Sequence, residues 1–118
     1  MNTDNSNLFS KEGYELIGMA MNVYNEMGGG LLEEIYQQCM EIEFSINSIP
    51  FESKKQLSIF YKNRKLDKFY IPDIFAYNGI IVEIKAVANI LPEHEAQLLN
   101  YMRISKTHVG YIIIPRAN

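Results

Sequence analysis

Asn78-Gly79 separates two apolar segments, residues 68–77 and 80–87, whose Ile, Val, Phe and Tyr content specifies two strands of a β-hairpin. Three charged side chains, Asp73, Glu83 and Lys85, interrupt them. Ionised groups inside strands this apolar are costly unless they are paired or bind metal, so their relative placement decides what the hairpin is for. Side chains alternate along a strand, which puts Glu83 and Lys85 on one face and Val82, Ile84 and Ala86 on the other. A two-residue turn at Asn78-Gly79 would pair Tyr77 with Ile80 and set Asp73 opposite Ile84, on the wrong face. A three-residue loop, Tyr77-Asn78-Gly79, pairs Ala76 with Ile80 and sets Asp73 opposite Glu83; it calls for a left-handed third residue, expected to be Gly79. Opposed carboxylates repel, and a cation between them reverses the sign. The spacing therefore predicts a divalent-metal site able to activate water. The competing reading is a solvated hairpin face carrying a Glu83-Lys85 pair.

A chain of 118 residues, 47% hydrophobic and 21% charged, is expected to form a single domain that buries about two thirds of its unfolded surface. Residues 1–9 are polar and expected to be a disordered tail, leaving residues 10–118 as that domain. Cys39 is the only cysteine, which excludes an internal disulfide or a cysteine zinc site and suggests a buried thiol. There is no apolar run of membrane-spanning length and no secretory signal, so no membrane partner is expected and the expected compartment is cytoplasmic. A net charge of −3 argues against nonspecific coating of nucleic acid, although a local basic patch can still grip phosphates.

The remaining pattern gives the other elements. Ser10 caps a helix with Leu16, Ala20, Val23 and Met27 at helical spacing, ended by Gly28-Gly29-Gly30. A second helix runs to about Asn47, with Leu32, Ile35, Cys39, Ile42 and Ile46 as its apolar face and Glu33, Glu34, Gln37, Gln38 and Glu41 opposite. Residues 52–61 alternate as a strand, a polar turn follows at Lys62-Asn63-Arg64-Lys65, and the strand bearing Asp73 comes next, so a three-stranded meander is expected. Leu91-Pro92 opens a third helix to about Ser105, and residues 108–115 form a last strand, ended by Pro115. Helix, helix, meander, helix, strand implies an α/β fold with helices packed on a mixed sheet.

Gly30-Leu-Leu-Glu33-Glu-Ile-Tyr36 resembles the Gly-x-x-Glu-x-x-Tyr signature of the small bacterial family of GxxExxY proteins. Pro72-Asp73 with Glu83-x-Lys85 is similar to that family's active-site motif, and residues 91–101 resemble it closely as well. Within the same PD-(D/E)XK nuclease superfamily, Gln97-x-x-x-Tyr101 resembles the helical motif of RecB-type exonucleases. The likeness covers residues 10 to about 114. The family usually continues past the last strand, whereas this sequence stops at Ile114-Pro115-Arg116-Ala117-Asn118, a departure that bears on the C-terminal edge of the sheet and not on the metal site.

The resemblance implies a restriction-endonuclease-like α/β/α sandwich, a mixed four-stranded sheet flanked by helices, and a metal-dependent nuclease acting on DNA. It implies that Asp73 and Glu83 ligate Mg²⁺ or Mn²⁺ with the Ile84 carbonyl as a further ligand, and that Lys85 positions the attacking water. Glu33 is expected as an extra acidic catalytic and metal-binding residue, its plainer role being to complement a helix dipole. Tyr36 either braces Glu33, contacts substrate or packs. Gln97 and Tyr101 share a helix face and are expected to orient Lys85 or to touch substrate phosphate, the plainer alternative being an ordinary amphipathic helix; His94 reads as a surface or hydrogen-bonded histidine. Lys54, Lys55, Lys62, Arg64, Lys65 and Lys68 form a basic cluster that suits a polyanion or keeps a hairpin edge soluble. A homodimer or a protein partner is expected from the small platform. Two other functions fit the pattern: a noncatalytic nucleic-acid or protein-interaction module keeping the fold, and a hydrolase of small phosphorylated molecules.

Overall fold

The computed structural model describes residues 10–114. The expected tail and Pro115 lie outside them. The order of elements is α1 (Ser10–Met27), α2 (Glu33–Ile46), β1 (Phe51–Ser53), β2 (Leu57–Tyr61), β3 (Arg64–Tyr70), β4 (Ile74–Ala76), β5 (Ile80–Ile84), α3 (Pro92–Ser105) and β6 (Val109–Ile113). Gly28 ends α1 in the left-handed conformation, φ 74°, where a side chain would be strained. At the head of α3, the Leu91 N–H donates to His94 Nδ1 at 3.0 Å, so this histidine serves the helix terminus.

The main sheet has the order β1-β4-β5-β6, with β5 and β6 parallel and the other pairs antiparallel. It is the mixed four-stranded sheet expected, but the three-stranded meander is not formed. Pro72 lacks the N–H a strand needs and splits the expected strand 68–77 into β3 and β4. Lys54, at φ 54°, turns the chain between β1 and β2 and splits the segment 52–61 in the same way. As a result β1 pairs with β4, while β2 and β3 form a separate two-stranded hairpin.

Two cores sandwich the sheet. Leu16, Met19 and Val23 of α1 and Tyr36, Met40 and Phe44 of α2 pack against Ile74, Ala76, Ile80, Val82 and Ile84. Leu98 and Met102 of α3 pack on the other face against Ile81 and Tyr70. Gly110 lets α3 approach β6: a Cβ there would meet Met102 Sδ at 2.8 Å. The α/β/α layering is thus the expected one.

The buried side of α2 is not. Leu32, Ile42 and Ile46 are 71%, 59% and 70% exposed, whereas the buried ridge is Tyr36, Met40 and Phe44 with Gln37. The helix carries two apolar ridges, and the sheet takes the one with the larger rings, which buries more apolar area. Cys39, between the two ridges, is only partly buried.

Candidate metal centre

The β4–β5 register is Ile74↔Val82, Phe75↔Ile81 and Ala76↔Ile80, as the three-residue loop requires, and it continues to Asp73 opposite Glu83. The left-handed residues of that loop are Tyr77, φ 56°, and Asn78, φ 59°, rather than Gly79. Consecutive left-handed residues make a type I′ turn closed by Gly79 N–H donating to the Ala76 carbonyl at 3.1 Å, which leaves Gly79 as the extra residue before Ile80. The turn type differs from the expectation while the register does not.

Because Ile80, Val82 and Ile84 fill the first core and Ile81 the second, alternation sets Glu83 and Lys85 on the α3 face with Asp73. Each carboxylate is held by an amide of the opposite segment: Asp73 N–H donates to Glu83 Oε1 at 2.8 Å, and Ile84 N–H donates to Asp73 Oδ2 at 2.8 Å. One oxygen of Glu83 is left over, and Asp73 Oδ1 is engaged only by the Lys54 ammonium at 2.9 Å. The lysine end of this pair is open to solvent, 57% exposed, while the Asp73 end is 24% exposed, so a metal cation can displace the ammonium from Asp73 without burying it. Burial, ahead of the Asp73 charge, pushes the Glu83 carboxyl above the usual glutamate range, against the opposing effects of the Asp73 amide and Lys85.

Sequence reasoning missed three residues around this pair. Gln37, 8% exposed, donates from Nε2 to the Asp73 carbonyl at 3.0 Å and to Glu41 at 3.1 Å, so a polar residue assigned to the solvent side of α2 props the strand carrying Asp73. Lys54 was visible only as one of a basic cluster, because its partner depends on the β1–β4 pairing. Tyr70 lies against Glu83, whose charge together with burial drives the phenol well above its usual range, yet the Tyr70 hydroxyl is buried without a hydrogen bond of acceptable geometry. A buried phenol left orphaned beside two carboxylates is a place for a further polar ligand such as water.

The other expected residues fall around this centre at different distances. Glu33, at the start of α2, accepts the Ala86 N–H at 2.9 Å, reaching the chain just beyond Lys85. Among the described residues no group of three acidic, His or Cys side chains is gathered in metal-holding geometry. Tyr36 is 1% exposed, its hydroxyl donating to the Gly28 carbonyl at 2.8 Å and accepting the Leu31 N–H at 3.0 Å. It braces the loop ahead of Glu33 and is almost wholly buried there. Tyr101 stacks on Tyr70, ring centroids 4.0 Å apart and 4° from parallel, and so backs the ring that borders Glu83. Gln97, one turn earlier on α3, is exposed.

The donor set fits a hard divalent cation: two facing carboxylates, each with an oxygen not bonded to a backbone amide. Mg²⁺ is commonly held by one or two carboxylates with water and substrate phosphate completing the shell, so a third acidic side chain is not required. No helix among the described residues is long and apolar enough to cross a membrane. Neither a curated protein nor a solved structure matches the chain. A family model for the PD-(D/E)XK nuclease superfamily matches residues 10–114. Members of that superfamily are mostly nucleases and usually use divalent metals. With the match spanning every described residue, and the fold and facing carboxylates consistent with it, the chain belongs to the PD-(D/E)XK nuclease superfamily.

Proposed function

We propose that the protein is a metal-dependent nuclease that hydrolyses phosphodiester bonds in DNA, with Asp73 and Glu83 as ligands of Mg²⁺ or Mn²⁺. The observation that carries this reading is the reciprocal amide tie between the Asp73 and Glu83 segments, which holds two carboxylates face to face in a setting where they repel unless a cation separates them. Such a cation supplies Lewis-acid polarisation of the phosphate and a water of lowered pKa. Lys85, on the same face as Glu83, orients the attacking water and offsets charge gathering on the phosphate. The Ile84 carbonyl and Glu33 are the further oxygen donors, the latter reaching the end of β5 from α2. Gln97 and Tyr101 contact substrate from α3, Tyr101 through the stack that also fixes Tyr70.

The finer placement among the GxxExxY proteins rests on Gly30, Glu33 and Tyr36, and the RecB-like placement on Gln97 and Tyr101. A second copy of the chain is the partner, docking on the exposed Leu32, at the N-cap of α2, and Ile35, Ile42 and Ile46 on the helix, where the partly buried Cys39 completes an alternating spacing of three and four that suits a coiled-coil seam. Incubating the pure protein with linear, circular and single-stranded DNA plus Mg²⁺ or Mn²⁺ tests the reading. Cleavage that Asp73→Asn abolishes supports it; binding without cleavage under any of these conditions favours a noncatalytic module.

A further inference from the structure

The β2–β3 hairpin is fixed only at its base. Tyr70 is buried and Leu57 and Ile59 are half-buried in the second core, while every residue from 60 to 69 is exposed. The Lys62-Asn63 turn, both residues left-handed, joins Tyr61 to its partner Arg64 and makes the hairpin a compact arm. Its chemistry differs from the rest of the chain. The arm carries four cations, Lys62, Arg64, Lys65 and Lys68, against a single acid, Asp67, while Lys54 and Lys55, just ahead of it, are paired with Asp73 and Glu52. A chain of net charge −3 is therefore locally positive here.

Charge alone fits a strand edge kept soluble by lysines. Aromatic exposure does not. Phe60, Tyr61 and Phe69 are 47%, 63% and 41% exposed, and an edge built only for solubility has no use for three open rings. The cations sit beside these rings, Lys62 Nζ 5.5 Å from the Tyr61 centroid and Lys65 Nζ 5.8 Å from that of Phe69. Rings that stack bases next to ammonium groups that meet phosphates are what an unpaired strand requires. A duplex keeps its bases stacked on one another and offers such rings nothing but backbone.

We propose that the β2–β3 arm is a stacking platform for single-stranded nucleic acid that leads the strand to the Asp73-Glu83 centre. This rests on the nuclease reading and adds the form of its substrate. Alternation along the strands sets Tyr61 on the face of the arm that Tyr70 shares and Phe60 with Phe69 on the other. The arm ends at Tyr70, which borders Glu83 and is stacked on Tyr101, so a strand laid over Tyr61 runs towards the site.

Fluorescence anisotropy of the whole chain in chelator, so that binding is read without cleavage, tests the arm with oligothymidylate, oligouridylate and a duplex. Wild type is expected to bind the single strands more tightly than the duplex. Tyr61→Ala is expected to weaken single-strand binding about tenfold or more with duplex binding unchanged, and Tyr61→Trp to restore it, whereas Phe69→Ala, on the opposite face of the arm, is expected to weaken it less. Lys62→Glu should lower the log-log salt slope by about 0.7 or more. Oligothymidylate and oligouridylate bound alike indicate a platform that reads neither sugar; a preference between them names the strand type. Matching thermal melts of the alanine variants and wild type show that the fold is kept. Equal affinity of the alanine variants and wild type for single strands overturns the proposal, as does a wild-type preference for duplex.

Hydrolysis of bis(p-nitrophenyl) phosphate with Mn²⁺, lost in Asp73→Asn, reads the nuclease assignment separately. Hydrolysis without ring-dependent strand binding overturns the arm and leaves the site. Ring-dependent strand binding without hydrolysis supports the arm and removes the nuclease.

Discussion

Asp73 and Glu83 lock each other across the β4–β5 hairpin: the Asp73 N–H donates to Glu83 Oε1 at 2.8 Å, while Asp73 Oδ2 accepts the N–H of Ile84, next to Glu83, at 2.8 Å. Two hydrogen bonds to charged acceptors fix both carboxylates before any ligand arrives. Preorganisation of this kind lowers the cost of bringing like charges together around a cation.

The lock has a pH signature in the metal-free protein. The folded-state pKa of Glu83 lies above its unfolded value near 4.5, so the native state holds this proton more tightly than the unfolded chain does. Its contribution to stability is therefore fully present below 4.5 and is lost as pH rises through the raised value. Denaturant melts of wild type and Glu83→Gln in chelator check this: the difference between their stabilities should shift in favour of Glu83→Gln as pH increases from 4.5 towards neutrality. A difference that is flat with pH would contradict the assignment.

Gln37 is expected to matter more than a helix-surface glutamine should. Gln37→Ala removes a buried donor to the Asp73 carbonyl and to Glu41, and should cost about 1–3 kcal/mol of stability. Thermal melts give that loss, and a cleavage assay at a temperature where the variant remains folded should show a further drop in kcat as Asp73 loses its prop.

In the hairpin turn the strained positions are Tyr77 and Asn78. Asn78 is exposed and tolerates the left-handed region, so Asn78→Gly should be nearly neutral, whereas Asn78→Val should cost about 1–3 kcal/mol. Comparing the two midpoints in denaturant separates backbone strain from any contact of the side chain.

Self-association is expected through α2. Light scattering should report a dimer at micromolar concentration and a monomer for Ile42→Lys, whose exposed position makes folding of the variant secure. A wild-type monomer at high micromolar concentration contradicts the α2 interface.

The hairpin register was legible because strand alternation has a period of two and only one loop length puts Asp73 on the face of Glu83. Which loop residues turn left-handed was not, since Tyr77 is tied by hydrogen bonds to the Pro50 carbonyl and Glu15, far from it in sequence, and Asn78 tolerates that region without being glycine. The three helices were legible from spacing and stops, yet the buried side of α2 was hidden by its two apolar ridges, which only the sheet could choose between. The break at Pro72 could have been seen, because a proline within a strand pattern argues for a boundary. Lys54, Gln37 and Tyr70 reach the centre from the turn after β1, from α2 and from β3, and no local pattern marks residues brought together by topology alone.

Calorimetric Mn²⁺ titration, run beside a DNA-cleavage assay for wild type, Asp73→Asn, Glu83→Gln and Lys85→Ala, tests the metal centre most directly. The account predicts that wild type binds the ion and cleaves, that both carboxylate variants lose binding and cleavage together, and that Lys85→Ala keeps its Mn²⁺ affinity while its rate falls by about 10² or more. A wild type that binds no divalent ion, or a Lys85→Ala variant with full activity, would contradict it.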